Sequence, residues 1–512
     1  MKQTKVIVIG LDGATFEVIN PLIEQGLLPT LAKIKESGAS GILNSTFPPI
    51  TGPAWLSLAT GKNPGKTGVF DFRNIKSPQS FELKPLSSLE FRSNRCFWDY
   101  LSAEGKRIGI FNYPMLYPPY YINGFMIGGL GSPERGNIAY PSELMGELTK
   151  ISRGYKIIIP FIRDYYTNKP ALFLKDLNRL LEDQIKIIHY LLNRGKLDLF
   201  VFVLSVTDFL QHHMWNYWEE YKTNRQSKYG REFVQVWTRV DELIGSLLEK
   251  EPDSHFLIVS DHGFGTLDGY FCINKWLEQE GYLVRKNPYN NSTASPFREL
   301  AKLLLSQSKF LDELSKKRPF KRLSMQGRKD LIGMVDLSRS LAVALDHSAV
   351  GQIYINWVKR NPEAPVRTEE EFKKIRQEII EKLVKLQGSS GLYSIEVHAA
   401  EDFYSGDKLD CLPDIVFLVN HMAYDVPPSQ FDKLVGSNSN PNKPGDHRKE
   451  GIFMAYGPSI KPHVHIQNAQ IVDVAPTLLH LFNQDVPQDM DGRILDEMML
   501  DKTAAKGGHL QS

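Results

Sequence analysis

Six short apolar runs constrain this chain more than anything else in it. They are KVIVIG (5–10), RIGIFN (107–112), LDLFVFVLSV (197–206), HFLIVS (255–260), DIVFLV (414–419) and GIFMAYG (451–457). Each is rich in β-branched or aromatic residues and lacks polar alternation, which marks a strand covered on both faces. Between them, LNRLLEDQIKIIHYLLNRG (177–195), VDELIGSLLEK (240–250) and EEFKKIRQEIIEKLVKLQG (370–388) carry apolar residues at helical spacing. Doubly covered strands alternating with amphipathic helices predict an α/β fold, a three-layer core with a mostly parallel central sheet. Residues 1–282 and 346–500 are assigned to that core. A polar entry, KNPYNNSTASP, and a cation-rich helical pattern set off 283–345 as an inserted, mainly helical cap, and 501–512 reads as a tail.

In parallel sheets, ligands collect beyond the carboxyl ends of the strands. The residues found there are chemically coherent. KVIVIG leads into Asp12-Gly13, LDLFVFVLSV into Asp208 and His212, and HFLIVS into Asp261-His262-Gly263, while Gly445-Asp446-His447-Arg448 stands just ahead of GIFMAYG. Asp208 and His212 are spaced i, i+4, so on a helix they share one face and reach one metal ion. Carboxylate and neutral imidazole suit zinc or a similar divalent ion. His447 is the best third ligand for that ion. Asp12, Asp261 and His262 would hold a second ion.

The stretch STFPPITGPAWLSLATG (45–61) adds a hydroxyl. Two prolines keep the chain extended, then Thr51 stands where a helix begins. One reading is an N-cap, since threonine accepts from the free amides of a first turn. The other is a nucleophile aimed at an anion held by those amides. Two ions about 4 Å apart would clamp an attacking oxygen and a phosphoryl oxygen in an in-line displacement.

The ordered set LDG, ITGPAWLSLATG, D-x-x-x-H, DHG and GDHR-x-x-GIFMAYGP resembles the alkaline phosphatase superfamily, and within it the type I phosphodiesterase/nucleotide pyrophosphatase branch and its bacterial relatives. The resemblance spans residues 5 to 495 or so, and includes DVAPTLLHLF. It implies an alkaline phosphatase-like core with Thr51 as nucleophile. Thr51 has the proline two positions on (Pro53) and the Thr60-Gly61 pair at the family's distance, which Thr46 lacks. It implies Asp12, Thr51, Asp261 and His262 on one metal and Asp208, His212 and His447 on the other, with zinc expected and manganese as the alternative. The family's phosphoryl-binding asparagine is missing: Phe72 falls about there, leaving Lys66, Arg73 or Asn74 as substitute donors. Threonine in place of cysteine argues against a formylglycine sulfatase.

The expected activity is hydrolysis of a phosphodiester or pyrophosphate through a phospho-threonine intermediate, on a small phosphate ester such as a nucleotide-linked one. A phosphomonoesterase or phosphomutase of the same superfamily is the alternative, and an inactive binding protein is the reading from another class. A net charge of +2 gives no field for a nucleic acid polymer. No apolar stretch reaches transmembrane length. Three scattered cysteines exclude a disulfide framework and, with no signal peptide evident, the cytoplasm is expected. The sequence leaves oligomeric state open. His213, His347, His463 and His465 read as structural or loop residues. WNYWEEY (215–221) is a helix stripe that serves either as core or as a stacking surface. SKKRPFKRLSMQGRK (315–329) is a solvated cap face or a draw for anions, and Asp446 orients His447 or is solvated.

Overall fold

The computed structural model describes residues 5–134, 136–152, 156–159, 165–286, 334–345, 350–389, 391–428, 433–438, 440 and 443–500. Five of the six apolar runs enter one nine-stranded sheet. Its order is Val464–Gln470, Ala39–Asn44, Glu450–Tyr456, His255–Val259, Val6–Leu11, Leu199–Leu204, Ile108–Tyr113, Gly124–Gly128, Ala139–Tyr140. The sheet is mostly parallel. Glu450–Tyr456 runs against both its neighbours, and Ala139–Tyr140 opposes Gly124–Gly128 at the far edge. That reversal explains why a motif ahead of GIFMAYG sits with motifs that follow the other strands.

Side chains alternate across the strands and divide two cores. Ile7, Ile9, Leu11, Phe200, Phe202 and Leu204 pack on one face with helices that include Pro170–Asn193, Val206–Thr223 and Lys228–Lys250. Val6, Val8, Val201 and Val203 pack on the other with Thr51–Thr60, Phe97–Ala103 and Val474–Leu481. This is the expected three-layer α/β arrangement. Within WNYWEEY, Trp215, Trp218 and Tyr221 are buried, so that stripe is core. His465 departs from its reading as a loop residue: it lies in the edge strand Val464–Gln470, whose alternating exposure hides it from an apolar-run criterion.

DIVFLV does not join the central sheet. Ile415–Val419 lies in a separate four-stranded antiparallel sheet ordered Ala342–Val343, Gly351–Ile355, Ile415–Val419, Ile395–Ala399. Helix Glu369–Val384 covers it, started by a Thr368/Glu371 capping box. Apolar continuity identifies a covered strand but not the sheet it joins. Of the expected cap, residues 287–333, including the cation-rich run, lie outside the described residues, as do His347 and 501–512. The described flank Ala342–Val343 is a strand of this second sheet. No described helix is long and apolar enough to cross a membrane.

Candidate metal centre

Parallel pairing sets Gly10 beside Val259 and Leu11 beside Leu204, so the turns after three adjacent strands open at one edge of the sheet. Asp12 and Asp261 leave two of these strands directly. Asp208 follows the third, in the first turn of helix Val206–Thr223, with His212 one turn on. Gly13 must turn left-handed here (φ 68), and a Cβ on it would stand 3.2 Å from Asp208 Oδ1. Its N–H instead donates to Asp261 Oδ1 at 3.1 Å. His447 arrives on strand Gly445–Arg448, which pairs antiparallel with Gly263–Thr266 and sets His447 opposite Phe264. The imidazoles of His262 and His447 then stack, with centroids 3.6 Å apart.

Two clusters share this space. Asp12, Asp261 and His262 form one, with His262 Nε2 3.7 Å from Asp12 Oδ1 and 3.3 Å from Asp261 Oδ2. Asp208, His212 and His447 form the other: Asp208 Oδ1 lies 3.3 Å from His212 Nε2 and 3.6 Å from His447 Nε2. Thr51 is 3 % exposed, and its Oγ1 lies 3.4 Å from His262 Nε2. All seven side chains named from the sequence meet here.

The protonation pattern follows from the acceptors. His212 Nδ1–H donates to Gly445 O (3.2 Å), His262 Nδ1–H to Gly263 O (3.0 Å) and His447 Nδ1–H to Pro49 O (2.9 Å). A carbonyl only accepts, so each Nδ1 carries the proton and each neutral ring turns an Nε2 lone pair inward. The Nε2 atoms of His212 and His447 face one another at 3.0 Å. Asp12 Oδ1, Asp208 Oδ1 and Asp261 Oδ2 are buried with no hydrogen-bond partner among the described residues. Lone pairs and unpaired carboxylate oxygens converging without a donor are what divalent cations require.

The electrostatics agree. Burial, then the neighbouring carboxylates, raises Asp12 and Asp208 well above the usual carboxylate range. Burial lifts Asp261 to about 7. It also pushes His212 down to about 3 and lowers His262 and His447. The site resists both its own negative charge and protonation of its histidines, and so lacks positive charge. The residues fit divalent cations.

Thr51 is not an N-cap. Ile50 holds that position, Thr51 is the first helical residue, and no side chain caps the helix. The Thr51 and Gly52 amides donate to no acceptor among the described residues, and Pro53 has no N–H to offer. The first turn therefore keeps both its hydroxyl and its donors for another partner. Thr46 is not in this position, because its Oγ1 donates to Pro48 O at 2.7 Å.

The three substitute donors are engaged elsewhere. Asn74 Oδ1 accepts from the Phe70 N–H (2.7 Å) and its Nδ2 donates to Asp71 O (3.1 Å), closing its own turn. Lys66 pairs with Asp491 at 2.5 Å. Arg73 lies in the short strand Arg73–Ile75, which pairs antiparallel with Leu83–Pro85. His213 Nδ1–H donates to Phe209 O, and its ring stacks on Phe173 at 4.5 Å. Asp446 Oδ1 lies 4.0 Å from His447 Nε2, and with His212 and His447 it forms a further group close enough to hold one ion. It is buried, accepts from the His447 N–H at 2.9 Å, and pairs with Lys443 at 2.6 Å. Burial alone would raise its carboxyl, but Lys443 and the nearby imidazoles hold it well below the usual range.

Some contributors carry no sequence signal. Trp55 Nε1–H donates to Asp12 Oδ2 at 3.3 Å, and the Pro49 carbonyl fixes the His447 tautomer. Only the assembled loops create those contacts. Beside the turn that carries His212 lies a cavity of about 250 Å³, lined by Tyr166, Lys169, Phe173, His213, Tyr217 and Pro444 among others.

The family profile described as type I phosphodiesterase/nucleotide pyrophosphatase matches residues 6–426. No curated protein sequence matches the chain. Among solved structures, murine ectonucleotide pyrophosphatase/phosphodiesterase 5, as an inactive variant in complex with AMP, is 13 % identical and aligns over 94 % of this chain and 96 % of its own, with a TM-score of 0.50. The human counterpart is 14 % identical over 96 % and 97 %, with a TM-score of 0.49. At such identity the murine likeness speaks for the fold. The profile match covers most of the chain, and the protein therefore belongs to the type I phosphodiesterase/nucleotide pyrophosphatase family of metal-dependent hydrolases.

Proposed function

We propose that this hydrolase cleaves a phosphodiester or pyrophosphate bond with two divalent ions, zinc natively or manganese, and passes through a phospho-threonine intermediate on Thr51. One observation carries this reading: inward Nε2 lone pairs and unpaired carboxylate oxygens surround a threonine hydroxyl that caps nothing. Asp12, Asp261, His262 and Thr51 would hold one ion, and Asp208, His212 and His447 the other. When bound, the ions supply positive charge that favours the alkoxide of Thr51 and offsets charge on the phosphoryl oxygens.

The chain's own groups do the rest. Thr51 Oγ1 attacks phosphorus in line, its bond to phosphorus forms, and the bond to the leaving oxygen breaks. The buried, uncommitted amides of Thr51 and Gly52 are placed to bind a phosphoryl oxygen at the helix start. Water then hydrolyses phospho-threonine from the opposite side, freeing Thr51 and the phosphate product. Two inversions give net retention at phosphorus. The adjoining cavity, with its aromatic and amide lining, supports a substrate carrying a sizeable group such as a nucleotide. Three cysteines, none of them in a disulfide, support a reducing compartment such as the cytoplasm.

The phosphomonoesterase or phosphomutase reading is favoured by one observation: Asn74 spends both ends of its amide on a turn, leaving fewer donors for a diester. Rates on bis-(p-nitrophenyl) phosphate and the monoester, with zinc or manganese, decide between them. A strong monoester preference overturns the diester proposal. Metal analysis tests the binding-protein reading: fewer than two ions per chain after reconstitution removes the mechanism.

A further inference from the structure

Arg448 follows His447, and its guanidinium makes no ion pair among the described residues although it is largely buried. It is held by carbonyls. Nη1 donates to Met422 O at 2.8 Å, to His447 O at 2.8 Å and to Asp446 O at 3.3 Å, and Nη2 donates to Thr266 O. Those acceptors lie on three segments: the strand Gly445–Arg448 that carries His447, the strand Gly263–Thr266 that pairs with it, and the turn leaving the second sheet.

That turn is unusual. Asn420, His421 and Met422 all adopt left-handed backbone angles (φ 51, 54 and 66), which residues with a Cβ avoid. Asn420 holds it from the second-sheet side, accepting from the N–H groups of Tyr393 (2.9 Å) and Ser394 (3.1 Å) and donating to Gly391 O (2.9 Å). Arg448 holds it from the side of strand Gly445–Arg448. Room for the guanidinium comes from Gly265, where an added Cβ would stand 2.8 Å from Arg448 Nε and 3.0 Å from its Cζ.

We propose that Arg448 is a positioning residue that fixes the His447 peptide, and hence the imidazole, for the second ion by locking the strand pair Gly445–Arg448 and Gly263–Thr266 to the Asn420–Met422 turn. A planar guanidinium with a fixed fork of donors can bridge three segments, whereas an ammonium on a flexible stem cannot. Arg448 belongs to neither ligand group. The inference rests on the two-ion reading and assigns the second sheet a part in shaping the outer ion site.

The test is a zinc titration of full-length protein stripped with a chelator, read against a competing chromophoric chelator, for wild type, Arg448→Lys and Gly265→Ala. Gly265→Ala displaces the guanidinium while keeping the arginine. The expected result is two binding steps in wild type. Arg448→Lys weakens one step about 10- to 100-fold, Gly265→Ala weakens the same step by about tenfold, and neither changes the other step. Lost turnover returns at high zinc. Wild type that binds fewer than two ions sinks the two-ion reading itself. Two steps in wild type that persist unchanged in both variants, or that weaken together in both, overturn the role of Arg448 and leave the two-ion reading standing.

Discussion

The inner and outer halves of the candidate metal centre offer the same side-chain chemistry on different foundations. In the inner half, Asp12 is 2 % exposed at its side chain, while Asp261 and His262 are fully buried, and both acids leave adjacent parallel strands. In the outer half, Asp208 and His447 are 12 % exposed and His212 is 17 %. There the side chains come from a helix turn and from strand Gly445–Arg448, which pairs antiparallel with Gly263–Thr266. Sheet register fixes the inner half. The outer half depends on loop contacts: Lys443 between Asp425 and Asp446, Arg448 on its carbonyls, and His447 on Pro49.

Removing the shared hydroxyl is the most severe way to break the comparison. Thr51→Ala should lower turnover by at least about 10³-fold while both ions remain bound, as read by steady-state rates and metal analysis. Turnover within tenfold of wild type would remove the phospho-threonine step. Next, stripping the ions should lower the thermal midpoint, because binding at 100 times Kd stabilises by about 2.7 kcal/mol per ion. Scanning calorimetry with and without chelator reads this, and an unchanged midpoint would contradict the fit of the site to cations.

Splitting the halves sharpens the contrast. Asp12→Asn and His447→Ala should each cost one ion. Only Asp12→Asn should stabilise the metal-free protein at pH 8, by roughly 1 kcal/mol, since it removes one of three crowded carboxylates. Equal behaviour of the two variants in denaturant titrations would erase the distinction. The smallest effect is expected of Trp55→Phe. Losing the hydrogen bond to Asp12 removes about 1 kcal/mol, or about fivefold in affinity for the inner ion, and leaves the outer step alone.

This contrast also marks what could be read in advance. The inner half was legible because its acids follow continuous apolar runs, whose burial on both faces leaves little choice but a parallel sheet. Asp208 and His212 were legible through helical spacing. His447 was found by its motif, yet the reversal of Glu450–Tyr456 that delivers it has no sign in an apolar run. Thr51 was read correctly as starting a helix, but a residue pattern does not separate N-cap from first helical residue, a shift of one position. DIVFLV was recognised as a strand and its sheet was not, since an apolar run does not name its partners, here Gly351–Ile355 and Ile395–Ala399. Arg448 was invisible as a brace because all its acceptors are backbone carbonyls, which every residue has.

The insertion of Glu450–Tyr456 into the sheet has a consequence for the order of events in synthesis. Among the described residues Ala39–Asn44 pairs only with Glu450–Tyr456 and Val464–Gln470, so an element made among the earliest waits for some of the latest. Until those residues leave the ribosome, the inner ligands exist without His447 and the nascent sheet has a raw border beside His255–Val259. Nascent chains arrested before residue 450 should therefore be cut by protease around 39–44, and chains released at full length should not, while equal resistance would mean that the border is shielded by something other than its final neighbour.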